Sequence, residues 1–403
     1  MSRLLEGQVS AAALSGLAGM TPVRLAKLLD GFLPALAWKA VQAGAHPADP
    51  RRRFATPSRT TDLGDVEARY IRAGVGILLP DMAGYPSMLV GDPGAPAVLF
   101  VQGDPTVLEV RPRVAIVGTR SATHYGRQVA SELARDLAAE DVVVVSGLAR
   151  GIDGAAHAGA LRATCRDSAP PVAVVGTGLD VMYPPSNRDL WAQVAARGAV
   201  LSESALGTKP HPGVFPARNR IIAALSDVVV VVESHRSGGS LYTAEAAARR
   251  SIPVCAVPGS VRSRASDGTN ALLVDGCTPV RDVTDVLVAV SLARAGVEQS
   301  HPDARLVRRS CESSESSESS IDGANRLRTD PADTNPAEDD PVQRAVLAAV
   351  DDVPTRFETI LIRTGLSIAS AAEACDQLTE QGSLMAGAGW WSQRQDGRNI
   401  GRN

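Results

Sequence analysis

Six stretches of this chain combine glycine, small hydroxyl residues, amides and arginine in the way that anion-binding loops do. They are GTRSATHYG (118–126); SGLARGID (146–153); GTGLD (176–180) with YPPSNR (183–188); SE (202–203) with FPARNR (215–220); SGGSLYT (237–243); and PG (258–259) with DGTN (267–270). Glycine lets backbone N–H groups approach an anion closely, and a helix that starts just after such a loop adds partial positive charge. Arg120, Arg188, Arg218 and Arg220 are long enough to reach phosphate oxygens, and a guanidinium can fork two of them at once. One such loop alone signifies a tight turn; six in series point to a phosphate-rich ligand.

Other chemistries fit the residues less well. No GxxxxGK[ST] occurs, which argues against ATP hydrolysis by a P-loop, and Gly176-Thr-Gly178 lacks the third glycine of a dinucleotide fingerprint. Ser146, Asp153 and His157 form a candidate hydrolytic trio. Asp153 and His157, however, are spaced i and i+4 at a helix start, where the carboxylate serves as an N-terminal helix acid. Cys165, Cys255, Cys277, Cys311 and Cys375 are dispersed without a CxxC pair, which suits a reducing compartment and argues against a disulfide framework or a zinc site. The expectation is a protein with no catalytic residue, no metal and no cofactor.

These loops need a frame that brings them to one edge. VAIVG, VVVVSG, VAVVGTG, AVLSE, DVVVVVES and PVCAVPG are short β-branched runs between Arg113 and Ala293, separated by helical stretches such as YGRQVASELARDLAAE. Strands apolar on both faces belong to a buried parallel sheet. Their alternation with helices implies right-handed βαβ units in a doubly wound α/β fold, where ligands bind outside the carboxyl ends of the strands. This core is expected over 61–295. Before it, residues 1–60 form a small helical module, similar to a helix-hairpin-helix or SAM unit, ending in the linker AHPADPRRRFATPSRT (45–60). After it, 296–340 is an acidic, serine-rich linker too poor in apolar residues to order. Residues 341–403 follow the order of a winged helix.

Composition agrees once it is divided. The 403 residues are 44% apolar but only 3% aromatic, and the formal net charge is −3. From Arg111 to Val290 there are 19 basic and 16 acidic residues, a net of +3, which the acidic linker masks in the total. The amino-terminal residues show no signal peptide and no apolar run is long enough to span a bilayer; a cytoplasmic location is expected. In the winged helix, the third helix carries Glu373, Asp376 and Glu380 with no Lys or Arg, so a protein contact suits it better than reading a DNA groove.

At these loops the chain resembles the DprA/Smf family of DNA-processing proteins. The resemblance rests on VAIVGTRSATHYG, VVSGLARGIDGAAHAGAL, VVGTGLDVMYPPSNRDL, the stretch ending in FPARNRIIAALSDVVVVVES, SGGSLYTAEAA and VPGSVRSRASDGTNALLVDG, in that order over about 180 residues. It implies an extended Rossmann-like core that binds single-stranded DNA, protects it and helps load a RecA-type recombinase in natural transformation and recombination, as a homodimer. It also implies phosphate contacts by Arg120, Arg218, Asn219 and Arg220, in a pocket lined by Gly118, Ser121, Ser146, Gly147, Asn187 and Ser240, with Arg188 close by. The family often has a Lys shortly before the FPxRNR motif, a part left here to Lys209 or His211. Tyr242 stands where many members have an aliphatic residue. Tyr125, Tyr183, Phe215 and Tyr242 are the aromatics near the loops, so binding should lean on phosphates more than on stacking.

Two other readings compete. SGGSLYTAE, with Glu245, is related to the PGGxGTxxE loop of lysine-decarboxylase-like nucleotide hydrolases, but its Pro and a loop glycine are absent and FPARNR is unexplained. A winged-helix regulator with an α/β sensor domain is the third.

Overall fold

A computed structural model describes residues 3–110, 112–163, 168–211, 213–300, 341–350 and most of 355–393. The chain divides into two units, Met1–Ser313 and Ser314–Asn403. Among the described residues no helix is long and apolar enough to cross a membrane.

The first unit opens with five helices: α1 (Glu6–Gly16), α2 (Pro22–Leu29), α3 (Pro34–Ala43), α4 (Ala55–Arg59) and α5 (Leu63–Ala73). Two strands follow, β1 (Gly76–Leu78) and β2 (Leu99–Gly103). The valine-rich runs then become β3 (Arg113–Val117), β4 (Val143–Ser146), β5 (Val172–Val175), β6 (Ala199–Ser202), β7 (Val228–Val231) and β8 (Val254–Ala256), with β9 (Thr278–Pro279) last. Their stiff, branched side chains suit a pleated surface packed on both sides. Between and after them lie α6 (His124–Ala139), α7 (Ile152–Ala160), α8 (Arg188–Arg197), α9 (Val214–Ala224), α10 (Leu241–Ala248), α11 (Asp267–Val274) and α12 (Val283–Ser300).

The sheet order is β1-β2-β6-β5-β4-β3-β7-β8-β9. From β6 to β9 every neighbouring pair is parallel, while β2 runs antiparallel to β6 and β1 antiparallel to β2. The chain starts the parallel sheet at β3, lays β4, β5 and β6 to one side, then returns to lay β7 on the other. The switch point where ligands bind in such sheets is therefore the gap between β3 and β7.

Side chains alternate between faces, as the pleat requires. Val114, Ile116, Val144, Val228 and Val230 point to α6, α7 and α12. On the same alternation, Ala173, Val175, Val200 and Phe100 meet Trp191 of α8 and the amino-terminal helices. Ala115, Val117, Val145, Val174, Leu201 and Val231 fill the opposite face against α9 and α10.

The expected doubly wound α/β core is present, with three further strands. The helices of residues 1–60 are not separate from it: Ala11 to Leu14, Leu25 and Trp38 share one buried cluster with sheet residues, and Gln8 Nε2 donates to Ile77 O at 2.6 Å. Nor is 45–60 a free linker. Phe54 is buried, and Asp49 accepts from the backbone N–H groups of Arg53 and Phe54 at 2.9 and 3.0 Å. A run of Pro and Arg hides one aromatic anchor and one carboxylate turn.

In the second unit, α13 (Pro341–Ala349), β10 (Thr355–Arg356), α14 (Ile368–Glu380), β11 (Leu384–Gly387) and β12 (Trp390–Gln393) follow in order, the strands pairing as β10-β12-β11. Val346, Ile360, Cys375, Leu378 and Leu384 form its core. This is the winged-helix order. The middle helix that a winged helix requires between β10 and α14 lies largely outside the described residues, as does most of the linker expected at 296–340, since α12 continues to Ser300.

Candidate nucleic-acid interface

A crevice of about 650 Å³ opens at the switch point. The loop after β3 supplies Gly118, Thr119 and Arg120, the start of α9 supplies Phe215 and Arg218, and the loop after β7 supplies Gly239 and Ser240. Gly118 is required by this crossing: a Cβ there would lie 2.8 Å from Glu233 O and 2.5 Å from the Ile152 side chain. At Gly147, a Cβ would land on the Arg218 guanidinium.

The helix N-termini behind these loops already hold carboxylates. Glu233, buried at the end of β7, accepts from Thr123 N at 2.9 Å and from Thr123 Oγ1 at 2.5 Å, at the cap of α6. Asp153 occupies the first turn of α7 and pairs with Arg218 Nη2 at 3.4 Å. The partial positive charge that could have met a phosphate is neutralised from within. What remains is a cationic rim. Arg120 is exposed, its guanidinium 4.4 Å from the centroid of the Phe215 ring, and no carboxylate pairs with it among the described residues. Tyr183 and Phe215 form a tilted ring pair 5.6 Å apart. Arg150 lies beside them and is also exposed.

The residues singled out from the sequence divide into two groups. Arg120, Gly118, Phe215, Asn219 and Ser240 line the crevice, and Gly147 lines the adjoining recess below Phe215. Ser121 lies exposed beside Arg120. Arg218 also borders the crevice but is spent inside: Nη1 donates to Gly147 O and Val174 O, and Nε donates to Asn219 Oδ1 at 3.1 Å. Arg220 is spent on Glu203, at 3.1 and 2.6 Å. Ser146 is fully buried and donates to Ile116 O at 2.6 Å. Asn187 donates to Leu148 O and Ala149 O at 3.0 and 3.2 Å, holding a loop in which Leu148 has φ 52°, a conformation costly for a branched residue. Arg188 and Lys209 are exposed but do not border the crevice; His211 does.

Arg150 was passed over in the sequence, although it follows β4 at nearly the same remove as Arg120 follows β3.

Burial sets the electrostatics. It pushes the carboxyls of Asp153 and Glu203 above their ordinary range, against the pull of Arg218 and Arg220 respectively. It brings Arg218 below its own. The hydrolytic trio is not assembled, because Ser146 serves a strand carbonyl, Asp153 serves Arg218, and His157 is fully buried. Among the described residues no group of His, Cys, Asp and Glu is placed to hold a metal ion.

Burial holds the His157 pKa down to about 3, against an ordinary value of about 6.5. A group with a depressed folded-state pKa contributes stability that is present above the unfolded value and lost as pH falls toward the folded one. Between about pH 6 and 4 the unfolded chain takes up a proton that the folded chain refuses, at a cost of up to ~1.4 kcal/mol per pH unit. His157→Leu should flatten the stability curve by that slope in this window and leave the slope above about pH 7 unchanged. Urea unfolding of both chains across pH checks it; parallel curves would refute it.

Similarity to known proteins agrees with this geometry. The sequence model of the family described as DNA recombination-mediator protein A matches residues 76–291, the stretch that holds the sheet and its loops. Protein Smf of Synechocystis is 35% identical over 79% of this chain and 80% of its own length. The DNA processing protein DprA of Bacillus subtilis is 37% identical over 56% of this chain and 74% of its own. The X-ray structure of DprA from Streptococcus pneumoniae superposes with a TM-score of 0.61 at 32% identity, over 71% of this chain and 98% of that one. With the switch-point crevice, its FPARNR helix and the sheet all inside the matched region, the chain belongs to the DNA recombination-mediator protein A family.

Proposed function

We propose that this protein binds single-stranded DNA along the carboxyl edge of its sheet and acts in DNA processing during recombination and transformation. The observation that carries the reading is Arg120: a solvent-facing guanidinium that makes no ion pair among the described residues, set over an aromatic ring at the switch point. The interior arginines are already paired, so the rim reads the ligand and the interior holds the rim. A duplex keeps its bases stacked inside; a single strand can offer both phosphates to Arg120 and a base face to Tyr183 and Phe215. Delivery of the strand to a RecA-type recombinase, action as a homodimer, a cytoplasmic location and the lack of a catalytic step complete the proposal.

Titration with single- and double-stranded oligonucleotides across salt tests it. The single strand should bind more tightly, with little sequence preference and a steep salt dependence. Arg120→Ala should weaken all sequences alike and lower the log–log salt slope by about one. An unchanged slope would assign Arg120 to structure. Base release from nucleoside monophosphates by the wild-type chain would favour the hydrolase reading instead.

A further inference from the structure

A second cavity adjoins the crevice at Arg218. Arg218 and His211 both border this cavity of about 270 Å³, so they form the wall that the two spaces share. This cavity lies at the carboxyl ends of β5 and β6, and the amino-terminal helices close it. Ser15 of α1 and Met20 and Leu25 around the start of α2 form one wall; Ser204, Thr208 and Ala217 form the other.

Its chemistry differs from that of the crevice. The charged residues lining it, apart from His211, are Glu203 and Arg218, and each is held in an ion pair, to Arg220 at 2.6 Å and to Asp153 at 3.4 Å. A phosphate would find no free cation inside. Met20 and Leu25 offer apolar surface to a flat ring. Ser204 and Thr208 donate to Gly176 O and Ala205 O at 2.8 and 2.7 Å, which leaves their oxygens able to accept from a ring N–H. The volume falls below the roughly 300–1,000 Å³ of sites that enclose a whole small ligand, and fits a fragment attached to something lying outside.

We infer that this cavity takes one unpaired base of the bound strand, with the amino-terminal helices as its outer wall. The inference rests on the single-strand reading above and extends the strand's path. Five neighbouring strands, β7 to β6, span about 19 Å at ~4.8 Å each. A strand advances about 3.4 Å per phosphate when stacked and about twice that when extended, so the edge accommodates roughly three to six nucleotides, the last of them against α1 and α2.

The test pairs base removal with filling of the cavity, in the full chain. A short oligothymidylate carries an abasic nucleotide at each position in turn. Binding is measured to wild type, to Ser15→Phe, which fills the cavity from α1, and to Met20→Ala, which strips one wall. For wild type, one abasic position near an end of the footprint should cost about tenfold, within the range for a stacked base. That penalty should vanish in Ser15→Phe and shrink in Met20→Ala. Thermal melting establishes that each variant is folded, and Met20→Ala carries the test if Ser15→Phe is not. Oligonucleotide binding with the same abasic penalty in wild type and variants overturns the cavity assignment and leaves the strand reading intact. No binding to any oligonucleotide by wild type overturns both.

Discussion

Replacing Arg218 with Met should cost about 3–5 kcal/mol of folding stability, the usual result of stripping one partner from a buried ion pair. The side chains of Arg218 and Asp153 are each 7% exposed. The guanidinium also serves Gly147 O, Val174 O and Asn219 Oδ1. Removing it takes the ion-pair partner from the buried Asp153 carboxyl and one hydrogen-bond donor each from Gly147 O and Val174 O. Adding Asp153→Asn to Arg218→Met should recover part of the loss, since an amide carries no charge to strand. Lys at 218 should not restore the wild type, because a single ammonium lacks the planar fork that reaches several acceptors. Chemical denaturation of the three variants measures this; a loss below about 1 kcal/mol would mean that the pair is not structural. The result bears on function too. Weak DNA binding by an Arg218 variant would report first on a collapsed loop, so such a variant does not by itself test a DNA contact.

Deleting residues 1–60 should abolish cooperative folding of the first unit. The deletion strips the amino-terminal helices from the buried cluster that they share with Ile77, Phe100, Val175 and Val200. Exposing a large apolar side chain costs roughly 1.5–3 kcal/mol, so a handful rivals the ~5–15 kcal/mol that holds a domain folded. It also breaks the Gln8 bond to Ile77 O. The shortened chain should bind a hydrophobic dye and melt without a sharp transition. A cooperative melt near that of the full chain would show that the helices are a detachable cap.

That expectation reverses what the sequence suggests by itself, and the reason is instructive. The six valine-rich strands are legible because a two-sided buried strand leaves an unbroken apolar run. β1 and β9 are three and two residues long, too short to show any period, and β2 sits among Pro and Gly turns. The helices of 1–60 are legible as helices, but their destination is not. Alanines such as Ala11, Ala12 and Ala13 mark close packing without naming the surface they meet. In the interface, glycine and aromatic positions follow from motif spacing. The division of labour among the arginines does not, since Arg218 finds Asp153 65 residues away and Arg220 finds Glu203 17 residues away. Two guanidinium groups in one motif look alike until the fold shows which carboxylate each one meets.

Proteins that coat a nucleic acid sit shoulder to shoulder at high local concentration, where an open sheet margin could zip onto that of the next copy. Here one margin is β1, of three residues, and the other is β9, of two. One of the two is Pro279, which has no N–H to offer a neighbour. Neither margin presents enough free backbone to template another chain. Crowding along a strand should therefore not lead to irreversible fusion through the sheet margins.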